Sequence, residues 1–565
     1  MRSTIVEPGS LMALRLRAPG SAMRNLRALV FLMLAACEAG PADIKEPPVL
    51  RVTSPARSLV QDHAGQLLVT GTVAPSASGD AVEKVLVNNV QATLDHGAFR
   101  AMIDVREGAT LIHTVAQDRA GSIASDTRTV LAGQLRAVGT SVGSAVTAAL
   151  SADTFSKLSA AAGPLVESVD MAALLAPMQP MVHFNDPNGE DCLFAQGFVD
   201  NIALSAVKVS LTPVDGGLTL RAELDGIAVD AHVRWGLACS KHTTDLAVGA
   251  DRIVIEGTLK VTPNGSAGFA TTLDNPTVQV TNSRLPDIFP PEIVDGLHLH
   301  SLIDLVISKG AELAMNPLVN QALGALAGPQ QLDILGKHLT VQVAPSAVTF
   351  TANGAEMAMT MMVLLGGSES SPGYIYTDNN VPAMDAGDGF ALGVADDLAN
   401  QMLAEALASG LLELALPTPG GAFDTAQVHM SLPPMISSGA ADGNMHVVLG
   451  DMLTTFKLAG SPVAKVAINA AVDLKIAPVG TGGSFIGLQL GTPEIHVDVL
   501  DDIPNVTGLP SDRLASAATA GLDSQIDTIS KLLRVIPLPA IAGLQVRDLA
   551  IGADDGYVMV RGRFD

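Results

Sequence analysis

The order of apolar and polar positions divides the chain into segments of different period. Residues 49–132 carry short apolar runs, Leu67-Leu68-Val69, Val85-Leu86-Val87, Ala101-Met102-Ile103 and Leu111-Ile112-His113-Thr114-Val115, punctuated by Asn88-Asn89, Gly97 and Gly121. Short strands with turn residues between them predict a β-sandwich. From residue 133 onward, helix-period and strand-period segments alternate, and the order occurs twice. Val138, Val142, Val146, Leu150 and Leu158 predict a mainly helical stretch over 134–178. Leu218, Leu220, Ala222 and Leu224 alternate with polar residues, and so do Ile227, Val229, Ala231, Val233 and Trp235 beyond a turn expected at Asp225-Gly226. Strands at 253–255 and 278–280 follow. Pro290-Pro291 then opens a long helix, since proline suits the first turn, and Leu302, Leu305, Val306 and Leu313 recur along it.

The second half runs in the same order. A helix is expected over 391–410, then strands near 411–416, 428–432, 445–449, 464–476, 485–490 and 495–500. In the segment 464–476, Val466, Ile468, Ala470, Val472, Leu474 and Ile476 face one way and Asn469, Asp473 and Lys475 the other. One oily and one polar face predict an antiparallel sheet covered on one side. Ser511-Asp512 is a fitting N-cap for a second long helix with Leu514, Leu522, Ile526, Ile529 and Leu533 on one face. A strand pair over 544–551 and 557–564 ends the chain. Pattern alone therefore reaches two long sheets, each accompanied by a long helix.

Composition narrows the function classes. At 565 residues the chain is long enough for three or four domains of about 150 residues each. Apolar residues outnumber charged ones three to one (48% against 16%), which excludes a disordered chain. A net charge of −24 and 3% aromatics leave neither a phosphate-tracking surface nor base-stacking platforms, so no nucleic-acid partner is expected. Arg24 and Arg27 precede an apolar run from Ala28 to Ala36, too short to span a bilayer. That run ends in Leu34-Ala35-Ala36-Cys37, which resembles the lipobox of bacterial lipoproteins. The resemblance implies cleavage after residue 36, acylation of Cys37 as the link to a membrane and, with Glu38 following, delivery to the outer membrane. An ordinary secretory signal beside a chance cysteine is the plainer alternative. Residues 37–48 then form a Pro/Ala/Gly-rich tether. With Cys37 taken by lipid, Cys192 and Cys239 remain as an even pair in an oxidising compartment, and a disulfide is expected between them. A metal or redox pair is the alternative, without a CxxC spacing to support it.

Two further resemblances set the expected architecture. Ser54-Pro55, Val69-Thr70-Gly71-Thr72-Val73, Val85-Leu86-Val87-Asn88 and Val115-Ala116-Gln117-Asp118-Arg119-Ala120-Gly121 are similar to bacterial immunoglobulin-like repeats, which serve as spacers or binding arms. Gly389-Phe390-Ala391-Leu392-Gly393-Val394-Ala395-Asp396-Asp397-Leu398-Ala399-Asn400, Val428-His429-Met430-Ser431-Leu432-Pro433-Pro434 and the tail from Ile536-Pro537-Leu538-Pro539 to Tyr557-Val558-Met559-Val560 resemble the bactericidal/permeability-increasing protein and lipopolysaccharide-binding protein family, of the tubular lipid-binding superfamily. That resemblance implies an α+β chain: an N-terminal β-sandwich (49–132) followed by two tandem barrels of twisted antiparallel sheet, each wrapped around a long helix. The first would span 133–340, a central sheet and linker 341–388, and the second 389–565. It also implies apolar pockets for acyl chains. The acidic charge departs from the cationic tip with which family members seize lipopolysaccharide, so lipid A recognition is not carried over.

An acyl-chain pocket needs a dry aliphatic lining, no catalysis and no cofactor, and each buried CH₂ of ligand contributes ~0.8 kcal/mol. The candidate lining is Val229, Val233 and Trp235 with Leu302, Leu305, Val306 and Leu313 in the first half. In the second it is Val466, Ile468 and Val472 with Leu522, Ile526, Ile529 and Leu533. The same residues would equally fill a packed core. Gly139-Thr140-Ser141-Val142-Gly143 fits the G-x-S-x-G of a nucleophile elbow, which requires a strand before it and a helix after; here it sits at the start of an expected helix. His298 and His300 do not share a helical face. The oxygen-rich stretches Asn185–Asp191 and Asp378–Asp388 read as solvated turns rather than metal sites, matching no EF-hand. The expected function is a membrane-anchored, non-enzymatic lipid-binding or lipid-transfer lipoprotein. The alternative is a surface or periplasmic structural or adhesion protein with filled barrels, its immunoglobulin-like module contacting a protein or surface partner.

Overall fold

The computed structural model describes residues 46–284, 328–500 and 546–564 apart from short stretches within them, together with a few positions between 513 and 537. Residues 49–132 fold as two facing sheets. One orders Val49–Ser54, Gly65–Ala74, Ala98–Val105 and Thr93–Asp95; the other orders Leu59–Gln61, Ile123–Ala132, Gly108–Asp118, Val82–Val87 and Val90–Gln91. Strict alternation builds the interface between them. Every second residue of Ala98–Val105 is buried, and Phe99, Ile103 and Val105 meet Val69, Val85, Val87 and Ile112 in one core.

The body is made of three larger sheets. The central one orders Gly328–Ile334, Lys337–Thr351, Gly354–Leu365, Val142–Ser151, Phe390–Ala395, Tyr557–Phe564 and Val546–Asp554, so it draws strands from early, middle and late in the chain. Phe390–Ala395 is buried throughout, as a strand covered on both faces should be. A second sheet is dominated by two very long strands, Gly217–Leu237 and Ser240–Pro263, flanked by Phe194–Ala203, Ala206–Val214 and Phe269–Thr281. A third is built on His446–Leu458 and Ser461–Val479. One continuous apolar core runs through the body, from Leu220 and Ile255 to Val466 and Ile468.

Two barrels, each wrapped around a long helix, do not form among the described residues. The described residues are mostly strand, in open sheets; two helices are described along their whole length, α1, Ala152–Glu167, and α2, Asp396–Ala408, and the described positions between 513 and 522 are helical as well. The stretch expected to be helical over 134–178 gives strands Gln134–Arg136 and Val142–Ser151 before α1 begins. The reason is arithmetic. Val142, Val146 and Leu150 are four apart, which keeps one face of a helix and equally one face of a strand, and the β-branched side chains favour the strand. The long helices expected after Pro290 and after Asp512 lie largely outside the described residues.

The expected turn at Asp225-Gly226 is also absent, because Gly217–Leu237 runs through it and stays paired with Ser240–Pro263 from Leu218↔Leu259 to Leu237↔Ser240. Gly226 takes φ 59°, and the buried positions change there from Leu218, Leu220 and Ala222 to Ile227, Ala231 and Val233. On the partner strand they change from Ile255 and Ile253 to Ala250, Val248 and Leu246. A matched kink in both strands produces the change of parity that the sequence shows.

Helix α1 lies along Ala206–Val214, whose other edge pairs with Gly217–Leu237. The amide of Leu211 donates to Ser159 Oγ at 2.8 Å and that of Val207 to Glu167 Oε1 at 2.8 Å, so helix side chains complete the strand's free edge. Gly163 permits the approach: a Cβ there would lie 2.5 Å from the carbonyl oxygen of Val207. Alanine in place of glycine within a helix ordinarily gains about 1 kcal/mol. Gly163→Ala is expected to reverse that sign and lower the melting temperature, measured by circular dichroism.

Candidate functional site

The ribbon of Gly217–Leu237 and Ser240–Pro263 carries three of the expected lining residues. Val233 is fully buried, while Val229 and Trp235 are half-buried, and all three belong to an apolar cluster with Leu175, Val199, Leu246 and Val248 beyond the kink. Only Val229 also packs against the main core. Trp235 Nε1 donates to Thr244 Oγ1 at 2.9 Å, and its ring stacks on His242 with centroids 4.6 Å apart. The Cys192–Cys239 disulfide ties the segment before Phe194 to the ribbon's tip, with Cα atoms 4.1 Å apart.

The other expected lining residues divide. Val466, Ile468 and Val472 lie on Ser461–Val479 and are fully buried, the first two within the main core beside Leu449 and Phe456. Leu522 is buried. Leu302, Leu305, Val306, Leu313, Ile526, Ile529 and Leu533 lie outside the described residues, as do Cys37, His298 and His300 and the acidic stretch 186–191. Ser141 is exposed and stands before the strand Val142–Ser151. That is the reverse of the strand-then-helix order of a nucleophile elbow.

The strongest concentration of charge lies where sequence reasoning placed none, between the sandwich and the body. Arg57, from the sandwich, donates through NH1 to the Thr127 carbonyl at 2.7 Å and to Asp451 Oδ1 at 3.1 Å. Through NH2 it reaches Asp126 Oδ2 at 3.1 Å and Asp498 Oδ2 at 3.3 Å. Asp451 and Asp498 belong to the body, so one guanidinium holds carboxylates of both parts. Burial pulls the Arg57 pKa down, but the three carboxylates outweigh it and hold it above its ordinary value. Burial pushes Asp498 up to about 6, against the pull of Arg57 and of the Thr127 amide. Arg128 braces the sandwich side, meeting Asp126 at 2.8 Å and the carbonyl of Val52 at 2.7 Å.

Local backbone makes this approach possible. The strand His446–Leu458 bulges between Leu449 and Met452, and Asp451 takes φ 41°. A Cβ on Gly450 would come within 2.5 Å of Thr129 in the sandwich. Asn469, with 0% exposure on the face expected to be wet, completes the joint. It donates to the Thr127 carbonyl at 2.8 Å and accepts from Thr129 Oγ1 and the Asp451 amide, each at 2.7 Å. The one sequence signal was Gly450-Asp451, a bulge-forming pair inside an apolar run.

Beside this joint opens a groove of about 540 Å³. The sandwich supplies Lys84, Leu86, Leu111 and His113, and the strand Glu494–Val499 supplies Glu494 and His496. The two imidazoles meet across the seam with centroids 4.6 Å apart. His113 Nδ1 lies 2.8 Å from Thr127 Oγ1, and burial with His496 alongside lowers its pKa.

Residues 48–134 match the family model for glucodextranase, domain B, which covers the sandwich. No curated protein matches the chain. Among solved structures, lipopolysaccharide binding protein is 10% identical, with 75% of this chain and 99% of that chain covered, at a TM-score of 0.34. P47 of Clostridium botulinum E1 is 10% identical over 75% of this chain and 100% of that chain, at 0.28. The titin domains z1z2 in complex with telethonin are 8% identical over 36% and 94%, at 0.13. These likenesses are distant, and no residue role follows from them.

Removing one partner of a buried ion pair leaves the others uncompensated and costs about 3–5 kcal/mol. Arg57→Ala is therefore expected to destabilise the chain by about that amount and to expose the seam after residue 134 to limited proteolysis, read by gel and mass spectrometry. An unchanged digest would mean that Arg57 does not hold the two parts together.

Proposed function

We propose that this chain is a lipoprotein anchored to the outer membrane through acylated Cys37, and that its body holds lipid acyl chains or another apolar ligand without breaking bonds. The observation that carries the reading is the apolar cluster of Val229, Ala231, Val233, Leu246 and Val248 on two exceptionally long paired strands, which touches the main core through Val229 alone among these. Beyond the kink at Gly226 each strand of the ribbon runs roughly 35 Å at 3.3–3.4 Å per residue, and Val229, Ala231 and Val233 alternate along it on the side of this cluster. The ligand lies along the ribbon rather than against Ser461–Val479, because Val229 and Trp235 keep part of their surface uncovered whereas Val466 and Ile468 are enclosed by the main core.

That same enclosure favours a second reading: an anchored, non-enzymatic structural protein of the cell envelope. In that case the clasped sandwich and body present surfaces to a partner and no ligand is held.

Lipid extraction and mass spectrometry of the purified Cys37→Ala chain separates the two. The first reading expects bound lipid near one equivalent, and Val233→Asp is expected to lower its occupancy about tenfold by taking apolar contact from the ligand. A correctly folded Cys37→Ala chain that purifies without lipid leaves only the second.

A further inference from the structure

Helix α2 is an unusual helix, because its polar side chains are buried. Asp396, Asp397, Asn400, Gln401 and Glu405 all face the interior. Most are satisfied by backbone groups. Asn400 accepts from the Ile436 amide at 2.7 Å and donates to the Ile436 carbonyl at 3.0 Å. Gln401 accepts from the Val363 amide at 3.2 Å and donates to the Thr140 carbonyl at 3.0 Å. Asp397 Oδ1 accepts from the Thr377 amide at 3.0 Å.

Two carboxyls are only half satisfied. Asp396, 3% exposed, accepts at Oδ1 from Asn379 Nδ2 at 2.7 Å, and its Oδ2 has no partner. Glu405, 0% exposed, accepts at Oε2 from the Leu365 amide and from Ser368 Oγ, and its Oε1 has no partner. Among the described residues neither is paired with a lysine, arginine or histidine.

We infer that α2 is a proton-loaded clasp: Asp396 and Glu405 are held as neutral carboxylic acids around neutral pH, and losing those protons on the alkaline side loosens the helix from the strands it binds. A carboxylate whose buried oxygen has no protein partner costs several kcal/mol, and the neutral acid far less.

The groups facing the helix do not change this. Tyr374 and Tyr376 come from the strand Tyr374–Tyr376, with Asp378 just after it, and Tyr557 comes from Tyr557–Phe564. Val142–Ser151, Phe390–Ala395 and Met435–Ser437 carry no titratable side chain. On Gly354–Leu365 there is only Glu356, which is exposed. Lys337 lies near Gly367. The cation that does act on the cluster is Arg136, its guanidinium 3.3 Å from the centre of the Tyr376 ring, and it favours the charged form of Asp397. The Gly139 amide favours charge on Glu405 without completing a hydrogen bond to Oε1. Burial dominates in each case. It raises Asp396 well above the usual carboxyl range, Asp397 to about 6 and Glu405 to about 7.

The sign follows from linkage. A carboxyl with a raised folded-state pKa contributes stability that is present below its unfolded value and is lost as pH rises through the folded value. For Glu405 that window runs from the ordinary 4.5 to about 7. The chain's overall acidity produces a trend of the same sign, so the variant difference decides. Melting curves of the full Cys37→Ala chain and its Glu405→Gln derivative should coincide at pH 5, and Glu405→Gln should melt several degrees higher at pH 8. A difference that does not vary with pH, or one in which Glu405→Gln falls further below its parent as pH rises, overturns the clasp. The parent alone gives a second readout. Its infrared spectrum at pH 7 should hold a protonated-carboxyl C=O band that fades as pH rises above 7, and absence of that band at pH 7 refutes the inference even if the variant does not fold.

Discussion

Every backbone amide that leaves water must find a partner, and this constraint governs the body of the protein. Strands satisfy one another only as far as they overlap. Val142–Ser151 pairs with Gly354–Leu365 as far as Val142↔Met361, so the amides of Val363 and Leu365 emerge on that side with no strand beside them. Helix α2 fills the gap, with Gln401 on the first and Glu405 on the second. Helix α1 does the same for Val207 and Leu211. Both helices are short because they work as lateral caps on sheet edges, not as axles inside barrels. An unsatisfied buried amide costs ~1–3 kcal/mol, which explains why the interior tolerates buried Gln and Glu that composition alone would place at the surface.

The same logic joins the sandwich to the body. Its surface is not a solvated module end: Thr127 and Thr129 turn toward Asn469, Asp451 and Asp498, and Arg57 closes the set. An apolar contact of Leu131 with Ile375, Leu432 and Met435 continues the seam. A module tied by buried charge and apolar packing moves with its neighbour. The sandwich therefore adds a wall to the body, and the groove between His113 and His496 exists because both parts supply it.

Much of this was legible in the residues, for a reason that also marks where legibility ended. The sandwich strands at 67–69, 85–87, 101–103 and 111–115 were found because short apolar runs with turn residues between them leave no length for helices. The ribbon was found by its alternation of apolar and polar residues, but its change of parity at Gly226 was read as a turn, since a kink and a turn shift the pattern alike. Val142, Val146 and Leu150 were misread because a spacing of four satisfies both periods. On the polar face of Ser461–Val479, Asn469 was legible as polar and not as buried, since its cover comes from residues more than 300 positions away in the chain, while Asp473 on the same face is exposed as expected. The pairing of Cys192 with Cys239 needed only counting.

Buried carboxyls and buried arginine divide the interior's charge into two kinds of joint. At the seam, Arg57, with Arg128 beside it, offsets most of the charge of the carboxylates it touches, and the contact survives as long as the ions stay paired. At α2 Arg136 reaches only the Asp397 end, so neutrality there has to come from protons instead. The first joint is insensitive to modest pH change on the alkaline side, because arginine keeps its charge; the second is not. A chain built this way keeps its sandwich attached under conditions that loosen α2, so the hydrogen bonds from α2 to Val363, Leu365, Thr377 and Ile436 are the ones through which alkaline pH reaches the central sheet.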